Sequence, residues 1–101
     1  MKQDVTDIKN ADDILMKLQG VRFVWKADGR ADIGFIAQEV EKTLPELVHT
    51  DMRGMKSVEY ANIIPVLVEG YKSEKSRADA LEARLNALEA RLERLEAQMQ
   101  K

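Results

Sequence analysis

Leu81, Leu85, Leu88, Leu92, Leu95 and Met99 follow one another at intervals of four, three, four, three and four residues. That spacing puts them on one seam of an α-helix as alternating d and a positions of a heptad. The units Ala80-Leu81-Glu82-Ala83-Arg84-Leu85-Asn86 and Ala87-Leu88-Glu89-Ala90-Arg91-Leu92-Glu93 are almost the same seven residues twice. Beyond Tyr71 there is no glycine, proline or β-branched residue, so helix is favoured at nearly every position. The register extends back through Ala78 to Tyr71, Leu67 and Ile64. A buried leucine is worth about 1.5–3 kcal/mol, which a lone helix cannot recover while its seam faces water. The sequence therefore predicts self-association.

The flanks of the seam choose an orientation. Glu82, Glu89 and Glu96 fall at e and Arg84 and Arg91 at g, so a parallel alignment pairs Arg84 with Glu89 and Arg91 with Glu96 of a neighbour. An antiparallel one sets like charges together. Leucine at both a and d does not choose between two and three strands, but two segments resemble a trimer-favouring pattern of arginine, hydrophobe, two variable residues, hydrophobe and glutamate. They are Arg84-Leu85-Asn86-Ala87-Leu88-Glu89 and Arg91-Leu92-Glu93-Arg94-Leu95-Glu96. The expected oligomer is a parallel homotrimer.

Much of a 101-residue chain is then heptad helix, which leaves a small globular core. Hydrophobic residues make up 45%, aromatic ones 5% and charged ones 34%, a composition between a globular domain and a self-associating helix. Net charge is −2 with both signs interspersed, so no basic face is offered to nucleic acid. Without cysteine and with one histidine, neither a metal site nor a cofactor is indicated. No apolar run approaches the roughly 20 residues that span a bilayer, and no signal peptide opens the sequence, so the expectation is a soluble chain made in a cytoplasm, with no membrane partner.

Ahead of the heptads the period changes repeatedly. Residues 1–10 are polar apart from Val5 and Ile8 and suit an extended arm. Asn10 is placed to cap a short helix whose stripe is Ala11, Ile14, Leu15 and Leu18, ending before Gly20. Val21, Phe23 and Trp25 then alternate with Arg22, Val24 and Lys26, and Ala27-Asp28-Gly29-Arg30 supplies a turn before residues 33–36, which predicts a β-hairpin. Residues 37–44 read as a short helix stopped by Pro45, residues 49–55 as a polar turn region, and residues 56–60 as one more short strand. Asn62 is placed to cap the last helix, with Pro65 in its first turn, and Gly70 weakens that helix by about 1 kcal/mol against alanine. The fold class expected is α+β, with short helices and a hairpin packed on a long C-terminal helix.

Phe23, Trp25, Phe35 and Val40 are the expected core, since the hairpin has little else to bury. His49, Asp51 and Ser57 lack a nucleophile elbow or oxyanion segment and read as turn residues rather than a triad. Glu39 and Glu41, two apart on a helix, face different ways and are not an acid/base pair. Gln38 stands out as an amide that burial would oblige to find defined partners, and which could then fix subunit register.

Gly20-Val21-Arg22-Phe23-Val24-Trp25, Ile33-Gly34-Phe35-Ile36-Ala37-Gln38-Glu39-Val40, Leu44-Pro45-Glu46-Leu47-Val48, Ser57-Val58-Glu59-Tyr60 and Ile64-Pro65-Val66-Leu67-Val68-Glu69 together resemble the C-terminal intramolecular chaperone domain of phage tail spikes and tail fibres. That family is also a self-cleaving Ser/Lys peptidase. The resemblance implies a division into a chaperone domain over residues 1–69 and a trimerisation helix over residues 70–101. It further implies that the domain holds three chains in register while upstream β-structure folds in an infected bacterial cytoplasm, then cuts itself off and is absent from the mature virion. The same family domain occurs in self-releasing transcription factors, and a plain coiled-coil oligomerisation module is the other alternative. Lys2, followed by Gln3-Asp4-Val5, fits the lysine of the cleavage motif, where a neutral amine would serve as base for a serine hydroxyl. That serine would stand five residues before Lys2, so the chain as given is expected to be inert.

Overall fold

The computed structural model describes residues 1–100. The elements run α1 (Ala11–Met16), β1 (Val21–Val24), β2 (Ala31–Gly34), α2 (Ala37–Glu41), β3 (Val48–Thr50), β4 (Lys56–Val58) and α3 (Ile63–Met99), with single 3-10 turns at Pro45–Leu47 and Tyr60–Asn62. This is an α+β chain of two small antiparallel hairpins and one long helix. With 37 residues, α3 is about 55 Å long at 1.5 Å per residue. It gives the molecule its extended shape, 79 × 40 × 18 Å.

The first hairpin pairs Val21 with Gly34 and Val24 with Ala31. Its turn is closed by the Trp25 N–H donating to the Arg30 carbonyl at 2.9 Å, with Gly29 supplying the left-handed φ of 70°. The second hairpin pairs Val48 with Val58 and Thr50 with Lys56. Its first strand, Val48–Thr50, overlaps the start of the stretch 49–55 expected to be only a polar turn. The turn itself is residues 51–55, where the Asp51 carboxylate accepts from the backbone N–H groups of Arg53 and Met55 at 2.8 and 2.9 Å and Gly54 takes φ 80°.

The helix ends differ from expectation in detail. Asn10 precedes α1 in the left-handed conformation, φ 57°, and its side chain makes no capping hydrogen bond. Asn62 likewise caps nothing with its side chain. α2 ends at Glu41 rather than at Leu44, and Pro45 keeps Leu44 out of the helical region, φ −131° and ψ 70°.

Ala11, Val40, Leu44, Leu47, Ile63 and Val66 are buried together, with Ile14, Leu15, Leu18, Phe35, Val48 and Val58 packed against them. Each element lends one side: α1, the α2 region, the second hairpin and the first turns of α3. No polar side chain among the described residues is buried. Val40 is 1% exposed and Phe35 packs against this core, whereas Phe23 and Trp25 form a separate edge-to-face pair on the first hairpin, centroids 5.0 Å apart, with Trp25 44% exposed. A two-stranded ribbon lying beside the core has only its inner residues to contribute, and these two rings cover each other instead.

Candidate functional site

α3 has two apolar faces. Ile63, Val66 and Gly70 are buried beneath α1, and the face continues through Ser73, whose hydroxyl donates to Asp12 at 3.4 Å, to Arg77, which meets the same carboxylate at 3.7 Å. These residues are spaced three, four, three and four. About 110° around the helix, at 100° per residue, stand Ile64, Leu67 and Tyr71, all at least half exposed. The first face docks the head of the molecule; the second has no counterpart among the described residues.

After Glu74 and Ala78 the same seam resumes as Leu81, Leu85, Leu88, Leu92, Leu95 and Met99, with leucine exposures from 49% to 59% and Met99 at 84%. A leucine on a bare helix cannot be much more exposed, because its own neighbouring turns cover the remainder. Six large apolar side chains in one contiguous row exceed what scattered surface hydrophobes account for. Beside the seam, no ion pair among the described residues engages Arg84, Glu89, Arg91 or Glu96. Their charges stand exposed on the two flanks. Upstream, Lys75 is held by Asp79 at 2.7 Å and Lys72 by Glu69 at 3.2 Å, both exposed pairs along the helix.

Sequence reasoning missed the docking face. Its signal was present in Ile63, Val66 and Gly70, a second 3-4 spacing offset by one residue from Ile64, Leu67 and Tyr71. Gly70 read as a flaw in the helix is the crossing point instead: the space a β-carbon would need there is taken by Leu15 Cδ1, with the Ala11 carbonyl carbon 3.8 Å away.

Lys2 lies on the exposed arm of residues 1–10, and no hydrogen bond or ion pair among the described residues engages it. His49 and Ser57 face each other across the second hairpin. The His49 imidazole, however, reaches Glu59 at 3.4 Å, and the Asp51 carboxylate is committed to its own turn. The three therefore form no relay. Glu39 pairs with Lys42 at 3.3 Å and Glu41 with Lys56 at 2.9 Å, on separate sides of α2. Gln38 is exposed rather than buried, since α2 packs through Val40 and leaves the preceding turn outward. Among the described residues, the Asp32 carboxyl is pulled clearly below the ordinary aspartate range. The Ile33 backbone N–H is the main cause, followed by the Trp25 indole N–H, which donates at 3.1 Å.

Among the described residues no group of His, Cys, Asp and Glu is placed to hold a metal ion, and no helix is long and apolar enough to cross a membrane.

Residues 1–49 match the model of a protein family described as the chaperone of endosialidase. Over that stretch the chain is similar to the chaperone of endosialidase. The match takes in the arm, α1, the first hairpin and α2, and ends inside β3; the second strand of the other hairpin and all of α3 lie beyond it. No curated protein matches the chain. A head similar to the chaperone of endosialidase and a helix with an uncovered leucine seam are thus joined in one chain.

Proposed function

We propose that the chain is a trimerising intramolecular chaperone, in which three copies zip in parallel along α3 and hold the upstream parts of a phage tail spike or fibre in register. The observation that carries this reading is the exposed apolar seam, Ile64, Leu67 and Tyr71 and then Leu81 to Met99, a surface that a second and third helix would cover. Residues 1–69 serve as the chaperone head and residues 70–101 as the zipper. Joining three long chains at one end replaces a concentration-dependent encounter by an intramolecular one, which lowers the entropic barrier to winding a trimeric fibre. The work is done in the cytoplasm of the infected bacterium. Release follows by cleavage before an upstream serine, with Lys2 as its base.

The test has two stages. Light scattering on the purified chain is expected to give the mass of three copies; a stable, folded monomer at micromolar dilution overturns the reading. A tail-fibre segment fused upstream is then expected to fold as a trimer only when the chain is present. A segment that assembles equally well without it would leave α3 a plain oligomerisation module.

A further inference from the structure

The head of the molecule sits on one flank of the seam only. α1 covers the g and c positions of α3, namely Ile63, Val66, Gly70, Ser73 and Arg77, and runs antiparallel to it, with Asp12 level with Ser73 and Arg77 and Leu15 level with Gly70. Between α1 and α3 lies an open groove of about 570 Å³ with an apolar floor that includes Leu15, Met16, Leu67 and Tyr71 and a net acidic rim of Asp12, Asp13 and Glu74, where Arg77 lies 3.7 Å from Asp12 and 3.6 Å from Glu74. Met16, at its lip, is 84% exposed. On the opposite flank of α3 stands a complementary ridge. Val68, Lys72 and Lys75 recur at i, i+4 and i+7, about 180° around the helix from the α1 face. Val68 is an apolar side chain 48% exposed, and the two lysines are held only by exposed pairs along the helix, worth about 0.2–1 kcal/mol each.

In a parallel, in-register coiled coil residues of the same number lie level, and the g flank of one helix faces the e flank of the next. Asp12, beside Ser73 and Arg77, thus comes level with a neighbour's Lys75, and Leu15, beside Gly70, lies between the levels of a neighbour's Val68 and Lys72. The lysine of the ridge then faces the acidic end of the groove and the valine its apolar end. An antiparallel pair would instead set groove on groove and ridge on ridge, acid against acid and lysine against lysine. Resting on the parallel assembly proposed above, we propose that the groove between α1 and α3 receives the Val68–Lys75 flank of a second copy of this chain. Each head is then clamped by the next subunit's helix. Around a threefold axis the contact is heterologous and closes after three copies, so the chaperone head is completed only on assembly.

A link between Met16 and Val68 of different chains is told from one within a chain on a denaturing gel, because only the former gives species of two and three chains. The experiment treats the full-length Met16→Cys/Val68→Cys variant, in a protein that otherwise has no cysteine, with a short bis-maleimide, and measures mass by light scattering before the reaction. The expected result is an oligomeric mass followed by covalent three-chain species on a denaturing gel. An oligomeric mass with only single chains on the gel overturns the groove contact and leaves the trimer reading intact; a monomeric mass overturns both. A second variant set needs no chemistry. Asp13→Lys is expected to raise the concentration for half-dissociation several-fold, and Asp13→Lys/Lys75→Glu to bring it back. No recovery in the double variant counts against the contact even where the cysteine variant fails to fold.

Discussion

The Tyr60 hydroxyl accepts the backbone N–H of Phe35 at 3.0 Å while its ring stacks on that of Phe35, centroids 5.9 Å apart. Phe35 follows directly on β2, where the ladder has stopped, so its N–H has no strand partner. Tyr60 opens the turn leading into α3. One side chain therefore fastens the first hairpin to the base of the long helix. Gly34 makes the approach possible, because a β-carbon there would collide with the Tyr60 hydroxyl and touch Phe23 Cε1 at 3.4 Å.

Tyr60→Phe is expected to cost about 1 kcal/mol, the usual net worth of one hydrogen bond. Gly34→Ala should cost more than that in the parent chain and distinctly less in the Tyr60→Phe background, where the atom that a new methyl meets is gone. Urea denaturation of the four proteins of this cycle reads the coupling directly. Strict additivity would mean that Gly34 is required for some other reason.

The crossing of α1 over Gly70 gives a prediction of unusual sign. In a free helix Gly70→Ala adds about 1 kcal/mol of stability, and the Leu15→Ala background is expected to show that gain. In the parent chain the new methyl group must displace Leu15, so the same change should give no gain or a loss. Thermal unfolding of both pairs decides it, and an equal gain in the two backgrounds would mean that Leu15 yields freely.

These positions also mark where sequence reasoning ended. The heptads, the first hairpin and the short helices were legible, because each carries its own period and its own punctuation in Gly20, Gly29 and Pro45. β3 was not, because Val48, His49 and Thr50 make only three residues of strand and the polar turn after them dominates the pattern. Asp51 and Gly54, three apart, were the available sign of a hairpin. Both of the α3 faces were written in the sequence. The leucine row is so regular that it hid the shorter, weaker stripe from Ile63 to Gly70, which contains a glycine where a hydrophobe would be sought.

Acid should act on the first hairpin through Asp32. Its carboxyl is depressed in the folded chain, so the stabilisation it brings is present above the ordinary aspartate value of 3.8 and is lost as pH falls through the lower folded value. Because Trp25 donates to Asp32 at 3.1 Å, indole fluorescence is expected to change in that acid range. Asp32→Asn should flatten the change. A fluorescence transition centred well above 3.8, or one unaltered in the variant, would trace the acid response to another group.

Charge on the flanks of the seam offers a test of orientation that does not depend on the number of strands. In a parallel assembly Arg84→Glu/Arg91→Glu turns the Arg84–Glu89 and Arg91–Glu96 pairs between neighbours into like-charge contacts. Exposed pairs are worth about 0.2–1 kcal/mol each, and three interfaces with two pairs apiece would weaken association by roughly ten-fold or more. Adding Glu89→Arg/Glu96→Arg to the same chain reverses both flanks and should restore it. An antiparallel assembly sets g against g′ and e against e′, so it is repulsive in the parent, in the reversed chain and in the full swap alike. Loss followed by recovery, measured by sedimentation at low salt, is therefore expected only of helices lying side by side in the same direction; equal association by all three proteins would remove the parallel zipper.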